Sequence, residues 1–165
     1  MLKSLVLVTA LGTAMSAFAG DEPSVRVERQ NLQGPRALQE QTAKAVIQDY
    51  LDSWTSLRNA LRENRPELLD RDFIGAAKDK LASTIKEQNA AGVHAVYRDR
   101  SHDLKILFYS PEGLSIELAD TVEYDVQILD HDKSIGTEQV RTRYIVVLTP
   151  TETRWRVRIF QSQSE

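Results

Sequence analysis

Asp120 is the residue whose placement most needs a chemical explanation. The stretch LSIELADTVEYDVQIL, Leu114 to Leu129, alternates so that Ile116, Leu118, Val122, Tyr124, Val126 and Ile128 share one parity with Asp120, and in a strand one parity is one face. A carboxylate on an apolar face must be hydrogen-bonded, paired or wetted by a cavity. Two readings satisfy that rule. In one, the small run Ala119, Asp120, Thr121 marks a bend near the rim, where the side chain reaches water or caps a helix. In the other, Asp120 anchors the mouth of an apolar pocket lined by Tyr50, Trp54, Tyr124, Tyr144 and Trp155, a setting in which an aspartate can act as acid or base.

The remaining polar residues give weaker signals. His94, His102 and His131 fall at no zinc-ligand spacing and there is no cysteine to complete a site, so they read as surface histidines and no metal is expected. DHDKSIGTE opens like a calcium loop at Asp130, Asp132 and Ser134, but Ile135 stands where the loop needs glycine and Arg141 where it needs a bidentate glutamate, so it reads as a turn. No serine, histidine and acid set and no glycine-rich phosphate loop is evident, and no cofactor is expected. Arg141, Arg143, Arg154, Arg156 and Arg158 gather on the outward parity of the last strands, where pairing with Glu117, Glu123 or Asp125 makes a mixed-sign ladder. Leu107, Tyr109, Ile145, Val147 and Phe160 share that outward parity. Apolar residues on a solvent face point to a contact surface for a protein partner or for self-association.

The elements that must position these groups follow from the periodicity. Lys3, the apolar run Leu5 to Phe18 and the small residues of Ala17-Phe18-Ala19 have the form of a cleaved secretory signal, the run being shorter than the roughly 20 residues that cross a bilayer. Of 21 basic residues the signal removes Lys3, leaving 20 against 24 acidic ones and a formal charge near −4, which argues against a general nucleic-acid binder. With no cysteine, an exported chain of this kind is held by packing and backbone pairing, and the roughly 145 remaining residues suit one domain. The expected location is the periplasm or the exterior, with no stable membrane insertion after cleavage.

Residues 20–36 are polar and aperiodic and are expected to be a flexible lead. Pro35 suits a first helical position, and Ala43, Val46, Ile47, Tyr50, Leu51, Trp54, Leu57 and Leu61 draw one stripe along a helix of six or seven turns. Pro66 starts a short second helical piece; Asp72 is placed to cap a third helix, which buries Phe73, Ala76, Ala77, Leu81 and Ile85 and ends at Gly92. Beyond His94 the period becomes two, and helices followed by strands predict an α+β domain. Its expected form is a long helix and two shorter ones packed on a strongly bent four-stranded antiparallel meander over residues 37–161, with 162–165 a tail. A three-residue loop at Pro111-Glu112-Gly113 sets Phe108 opposite Ile116 and Ile106 opposite Leu118. A loop at HDKSI sets Val126 opposite Val140, Val122 opposite Tyr144, Asp125 opposite Arg141 and Glu123 opposite Arg143. The last strand is expected to turn Trp155, Val157 and Ile159 inward.

This order of elements, together with YRDRSHDLKILFY, the TVEYDVQIL strand and the closing TRYIVVL and TRWRVRIF strands, resembles the nuclear-transport-factor-like superfamily, also described as SnoaL-like or cystatin-like α+β cones. It is nearest in pattern to the small terminal domain of plastid and cyanobacterial division proteins. The resemblance covers roughly Ala37 to Gln161 and implies the bent sheet. The superfamily hosts isomerases, dehydratases and cyclases beside members without catalysis, so fold alone does not choose. Two functions stay open. One is an exported, non-catalytic binding or assembly module that works through the outer sheet and holds a small apolar ligand in the cone. The other is a cofactor-independent isomerase or lyase with Asp120 as acid/base.

Overall fold

The apolar stripe of the first long helix sets the architecture. The computed structural model describes residues 22–28, 32 and 36–163; the signal segment and Pro35 lie outside the described residues. Helix α1, Glu40–Glu63, begins after Gln39 and buries Val46, Tyr50, Trp54, Leu57 and Leu61 along one face. It stops at Asn64, which takes the left-handed conformation (φ 53°) and returns its backbone N–H to the Ala60 carbonyl. The Asn64 side chain then donates to the Val93 carbonyl at 2.9 Å, fastening the helix end to the sheet. A 3-10 turn, Pro66–Leu69, and helix α2, Gly75–Ala90, complete the helical layer.

The sheet is five-stranded and mixed, not a four-stranded antiparallel meander. Strands β2 (Val93–Tyr109), β3 (Ile116–Asp130), β4 (Lys133–Pro150) and β5 (Trp155–Gln163) form the expected antiparallel series. Strand β1, Ser24–Glu28, comes from the polar lead and pairs parallel with β2, setting Val25 beside His102 and Val27 beside Leu104. All five of its residues are exposed, and five residues are too few to show a burial period. Asp72 does not cap α2, whose N-cap position is Ile74 without a side-chain bond. Asp72 is instead buried, accepts from Ser56 and Arg154, and its carbonyl receives the Val157 N–H at 2.8 Å. The loop before α2 is thereby stitched to β5.

Four single-residue bulges account for the departures in register. Bulges at Arg100 and Leu107 interrupt the β2–β3 ladder, one at Ile135 interrupts β3–β4, and one at Arg158 interrupts β4–β5. Each flips the side-chain parity of its strand and tightens the bend. Ile106 does face Leu118, but the first hairpin loop is one residue longer than expected, closing on Ser110 and Ser115, so Ile116 meets Tyr109 instead of Phe108. The second hairpin turns through His131 and Asp132, with His131 at φ 53°, instead of through five residues. Its pairing is displaced by two: Tyr124 meets Val140, Asp120 meets Tyr144 and Glu123 meets Arg141. A shift of two keeps every face and changes every partner.

The Arg158 bulge has a sharper consequence: Ile159 pairs with Val147 on the outer face and is 41% exposed, while Phe160 pairs with Val146 and joins the core. The expected orientations of both residues are reversed. Phe160→Ser should therefore cost about 3–5 kcal/mol, whereas Ile159→Ser should cost less than about 1 kcal/mol. Urea unfolding of the two variants checks this, and equal losses would mean that the bulge is misplaced.

Candidate functional site

Asp120 lies in the middle of the sheet, between Leu104 on β2 and Tyr144 on β4, facing the helices, and it is fully buried. The helix stripe delivers its first partner: the Tyr50 hydroxyl donates to Asp120 Oδ2 at 2.8 Å. Strand β2 delivers the second, because His102 shares the inward parity of Leu104 and Ile106, and the Arg100 bulge brings Asp99 onto the same face. His102 Nδ1 lies 2.7 Å from the same Oδ2; with Asp120 as a carboxylate, that nitrogen carries the proton. His102 Nε2 in turn is 3.6 Å from Asp99 Oδ2, which is also held by the Arg58 guanidinium from α1. Burial, with Arg62 adding, pulls the Arg58 guanidinium below its usual range. A chain of polar contacts thus runs Tyr50, Asp120, His102, Asp99, Arg58, from helix through sheet and back to the same helix.

Aromatic rings enclose this chain. Trp54 meets His102 edge-on at 5.2 Å between centroids and also contacts Tyr124, Tyr144 and Phe160. Tyr97 stacks on Tyr124 at 5.0 Å, Tyr144 on Phe160 at 4.3 Å, and the Tyr124 and Tyr144 hydroxyls are 3.5 Å apart. Burial first, then the Asp120 charge, raises Tyr50 well above the ordinary tyrosine value of 10.0. Burial, then the neighbouring Tyr124, pushes Tyr97 up to about 12. Tyr144 moves upward too, through burial and its contact with the Tyr124 hydroxyl.

Of the expected pocket residues, the structure brings together Tyr50, Trp54, Asp120, Tyr124 and Tyr144. Trp155 stands apart at the start of β5, opposite Pro150, with its backbone N–H on Asp49 at 2.8 Å. The sequence reading missed His102, Asp99 and Arg58. His102 is not a surface histidine: it is 1% exposed, and its shared parity with Leu104 and Ile106 was the available signal. Asp99 carried none, because the bulge after it breaks the parity. Three buried polar atoms in this region, Trp54 Nε1, Asp99 Oδ1 and Asp120 Oδ1, have no hydrogen-bond partner among the described residues.

The groups are those of a proton-transfer site, an acid flanked by a phenol and an imidazole. The cone is nevertheless closed over them: Tyr50 and Asp120 have no exposed surface. A hollow of about 690 Å³ lies elsewhere, between β1 and the start of α1, with Val27, Leu38, Ala43, Ile47 and Ile106 in its lining.

The expected contact surface is altered by the same bulges. Tyr109 pairs with Ile116 on the inner face and takes Arg36 over its ring at 5.4 Å, and Phe160 is in the core. Leu107 is the bulged residue itself, while Ile145 and Val147 keep outward positions. Phe108, 47% exposed, and Ile159 take the outward places that Tyr109 and Phe160 were expected to fill. Of the arginine ladder, Arg141 pairs with Glu123 at 3.2 Å and Asp125 is taken by Arg100 at 2.9 Å. Arg154 and Arg156 turn away to the loop before α2, reaching Asp72 and the carbonyls of Asp70 and Phe73.

No protein-family model matches the chain, and no curated protein matches it. Solved structures do. The intermembrane space region of the chloroplast protein ARC6 superposes with a TM-score of 0.61 at 13% identity, over 79% of this chain and 100% of that one. A candidate scytalone dehydratase from Novosphingobium aromaticivorans superposes at 0.52 and 13% identity, over 76% and 89%. These likenesses show the fold, a nuclear-transport-factor-like, SnoaL-like cone.

The raised tyrosines fix the sign of the alkaline response. Unfolded tyrosines ionise near about pH 10, while Tyr50, Tyr97 and Tyr144 hold their protons to higher pH when folded. Their contribution is complete below about pH 10 and is lost as pH rises above it. Tyr50→Phe should lower stability at neutral pH by about 1–3 kcal/mol through the donor lost to Asp120, and should make the alkaline decline shallower. Urea midpoints measured across the alkaline range check both effects, and an unchanged slope would show that Tyr50 titrates normally.

Proposed function

We propose that this protein is an exported, non-catalytic binding or assembly module that engages a protein partner, or a second copy of itself, through the outer face of its sheet. The observation that supports it is a contrast of exposure. The inward acid and its partners are shut away from solvent, whereas Phe108 and Ile159, bulky and apolar, stand open at the two ends of one outward row with Glu117 and Val147 between them. Apolar residues grouped on a sheet face are a recognition feature rather than a packing one. The lysine, apolar run and small-residue cleavage pattern at the start of the sequence support export, and no described helix is long and apolar enough to cross a membrane. N-terminal sequencing of the protein recovered from its natural host should begin at Gly20.

A second reading is favoured by one observation, the convergence of Tyr50 and His102 on Asp120. In it the protein is a cofactor-independent isomerase or lyase with Asp120 as acid/base, and substrate enters only when the Trp54 cluster parts. The side chains closing over Asp120 weigh against it.

A photo-crosslinking residue placed at Phe108, and as a control at Ile135 on the far hairpin, separates surface from background in living cells of the host. A discrete protein adduct is expected at Phe108 and not at Ile135, and its absence at Phe108 overturns the proposal. The second reading predicts that Asp120→Asn abolishes turnover of any substrate found, while the first predicts that the adduct survives that change.

A further inference from the structure

The outer row carries a charge that its neighbours leave unanswered. Glu117 is half-buried, directly opposite Phe108 on one side and Val147 on the other, and it has no ion pair among the described residues. Lys105, opposite Ala119 in the ladder, is engaged with Glu28 at 3.3 Å; farther along the sheet Arg26 pairs with Asp103 at 3.2 Å, Arg141 with Glu123 and Arg100 with Asp125. A carboxylate covered by an apolar partner would lose its water and gain nothing, which costs several kcal/mol. Resting on the outer-face reading, we infer that the partner of this face is a different protein carrying one basic side chain, arginine or lysine, at the centre of an apolar strip.

A second copy fits less well. Arg143 also lacks an ion pair among the described residues, but it pairs with Thr121, four residues along β3 from Glu117, and four strand residues span about 13 Å. A two-fold axis that stacks the row Phe108, Glu117, Val147, Ile159 on itself puts Glu117 over Val147 or over the second copy's Glu117, and neither supplies a cation. An axis that brings Arg143 over Glu117 cannot also stack that row on itself, because Arg143 lies outside it, opposite Thr121. Self-pairing satisfies the apolar row or the acid, not both. A heterologous strip with one cation satisfies both, and a charge-assisted hydrogen bond to the covered carboxylate gives the contact its selectivity.

The test uses three helical probe peptides that present leucines on one face around a central arginine, norleucine or glutamate. Binding to the protein lacking residues 1–19 is followed by fluorescence anisotropy. The arginine peptide should bind at least about tenfold more tightly than the norleucine one, equivalent to about 1.4 kcal/mol, and the glutamate peptide should bind weakest. Glu117→Lys should invert that order, and Phe108→Ser should weaken all three. Circular dichroism and urea midpoints near those of the parent confirm that these exposed changes leave the fold intact. Equal binding of the three peptides, or an order that Glu117→Lys leaves alone, overturns the basic-partner inference. Binding untouched by Phe108→Ser overturns the outer-face reading itself. A concentration-dependent dimer in sedimentation that Phe108→Ser dissolves replaces the heterologous partner with a second copy.

Discussion

A carboxylate cannot be buried alone, and the rest of this structure is arranged around that constraint at Asp120. Stripping the solvent from such a group costs several kcal/mol, and each hydrogen bond to the charged oxygen recovers about 1.5–3 kcal/mol. Tyr50 and His102 supply two. Because Tyr50 is on α1 and His102 on β2, meeting that need fixes the rotation of the helix and the register of the strand together. Trp54, one helical turn beyond Tyr50, is then carried over His102 and becomes the hub of the aromatic cluster. Arg58, another turn on, arrives at Asp99. The helix stripe and the polar chain thus use the same spacing of four, with the apolar rings shielding the contacts that the polar groups make.

The bulges do the complementary work on the sheet. Without the Arg100 bulge, Asp99 and His102 would lie on opposite faces and the chain of contacts could not form. With it, both face inward, and the same insertion adds a local bend to β2. Farther along, the Leu107 and Arg158 bulges exchange Tyr109 for Phe108 and Phe160 for Ile159 on the outer face. Each exchange puts an aromatic ring inside and leaves a large apolar residue outside, so the outer face remains apolar through the parity change.

That history explains what could and could not be read from the residues. The α+β order, the stripe of α1, the end of α2 at Gly92, the inward direction of Asp120 and four of its five aromatic companions were legible, because periods of 3.6 and 2 survive in the text. Partner identities across the hairpins were not. A bulge adds one residue without a compositional mark, and a turn starting at His131 instead of spanning five residues shifts the ladder by two while leaving each face intact. Strand β1 was illegible for another reason: its five exposed residues have no buried face to give a period, and its pairing with Ser101–Lys105 is decided by a strand far away in the chain. His102 was legible from its parity with Leu104 and Ile106, but metal-ligand spacing, on which the histidines were read, carries no information about which face of a strand a residue takes.

Closure of the cone and exposure of the outer row are two results of one distribution of side-chain volume. Folds of this type can leave the space between helix and sheet open for a ligand or fill it. Here Trp54, Tyr124, Tyr144 and Phe160 converge on it and fill it. Filling places the polar chain in a medium of low dielectric, where its contacts are strong and rearranging them is costly. That suits a rigid support better than a site that must exchange substrate. The outer face meets the opposite condition: Phe108 and Ile159 are large, apolar and held at fixed positions by the ladder, so covering them releases water without much loss of backbone freedom. The half-buried Glu117 between Phe108 and Val147 then decides which cover is acceptable, since apolar area favours any partner and an unanswered acid rejects those that bring no cation.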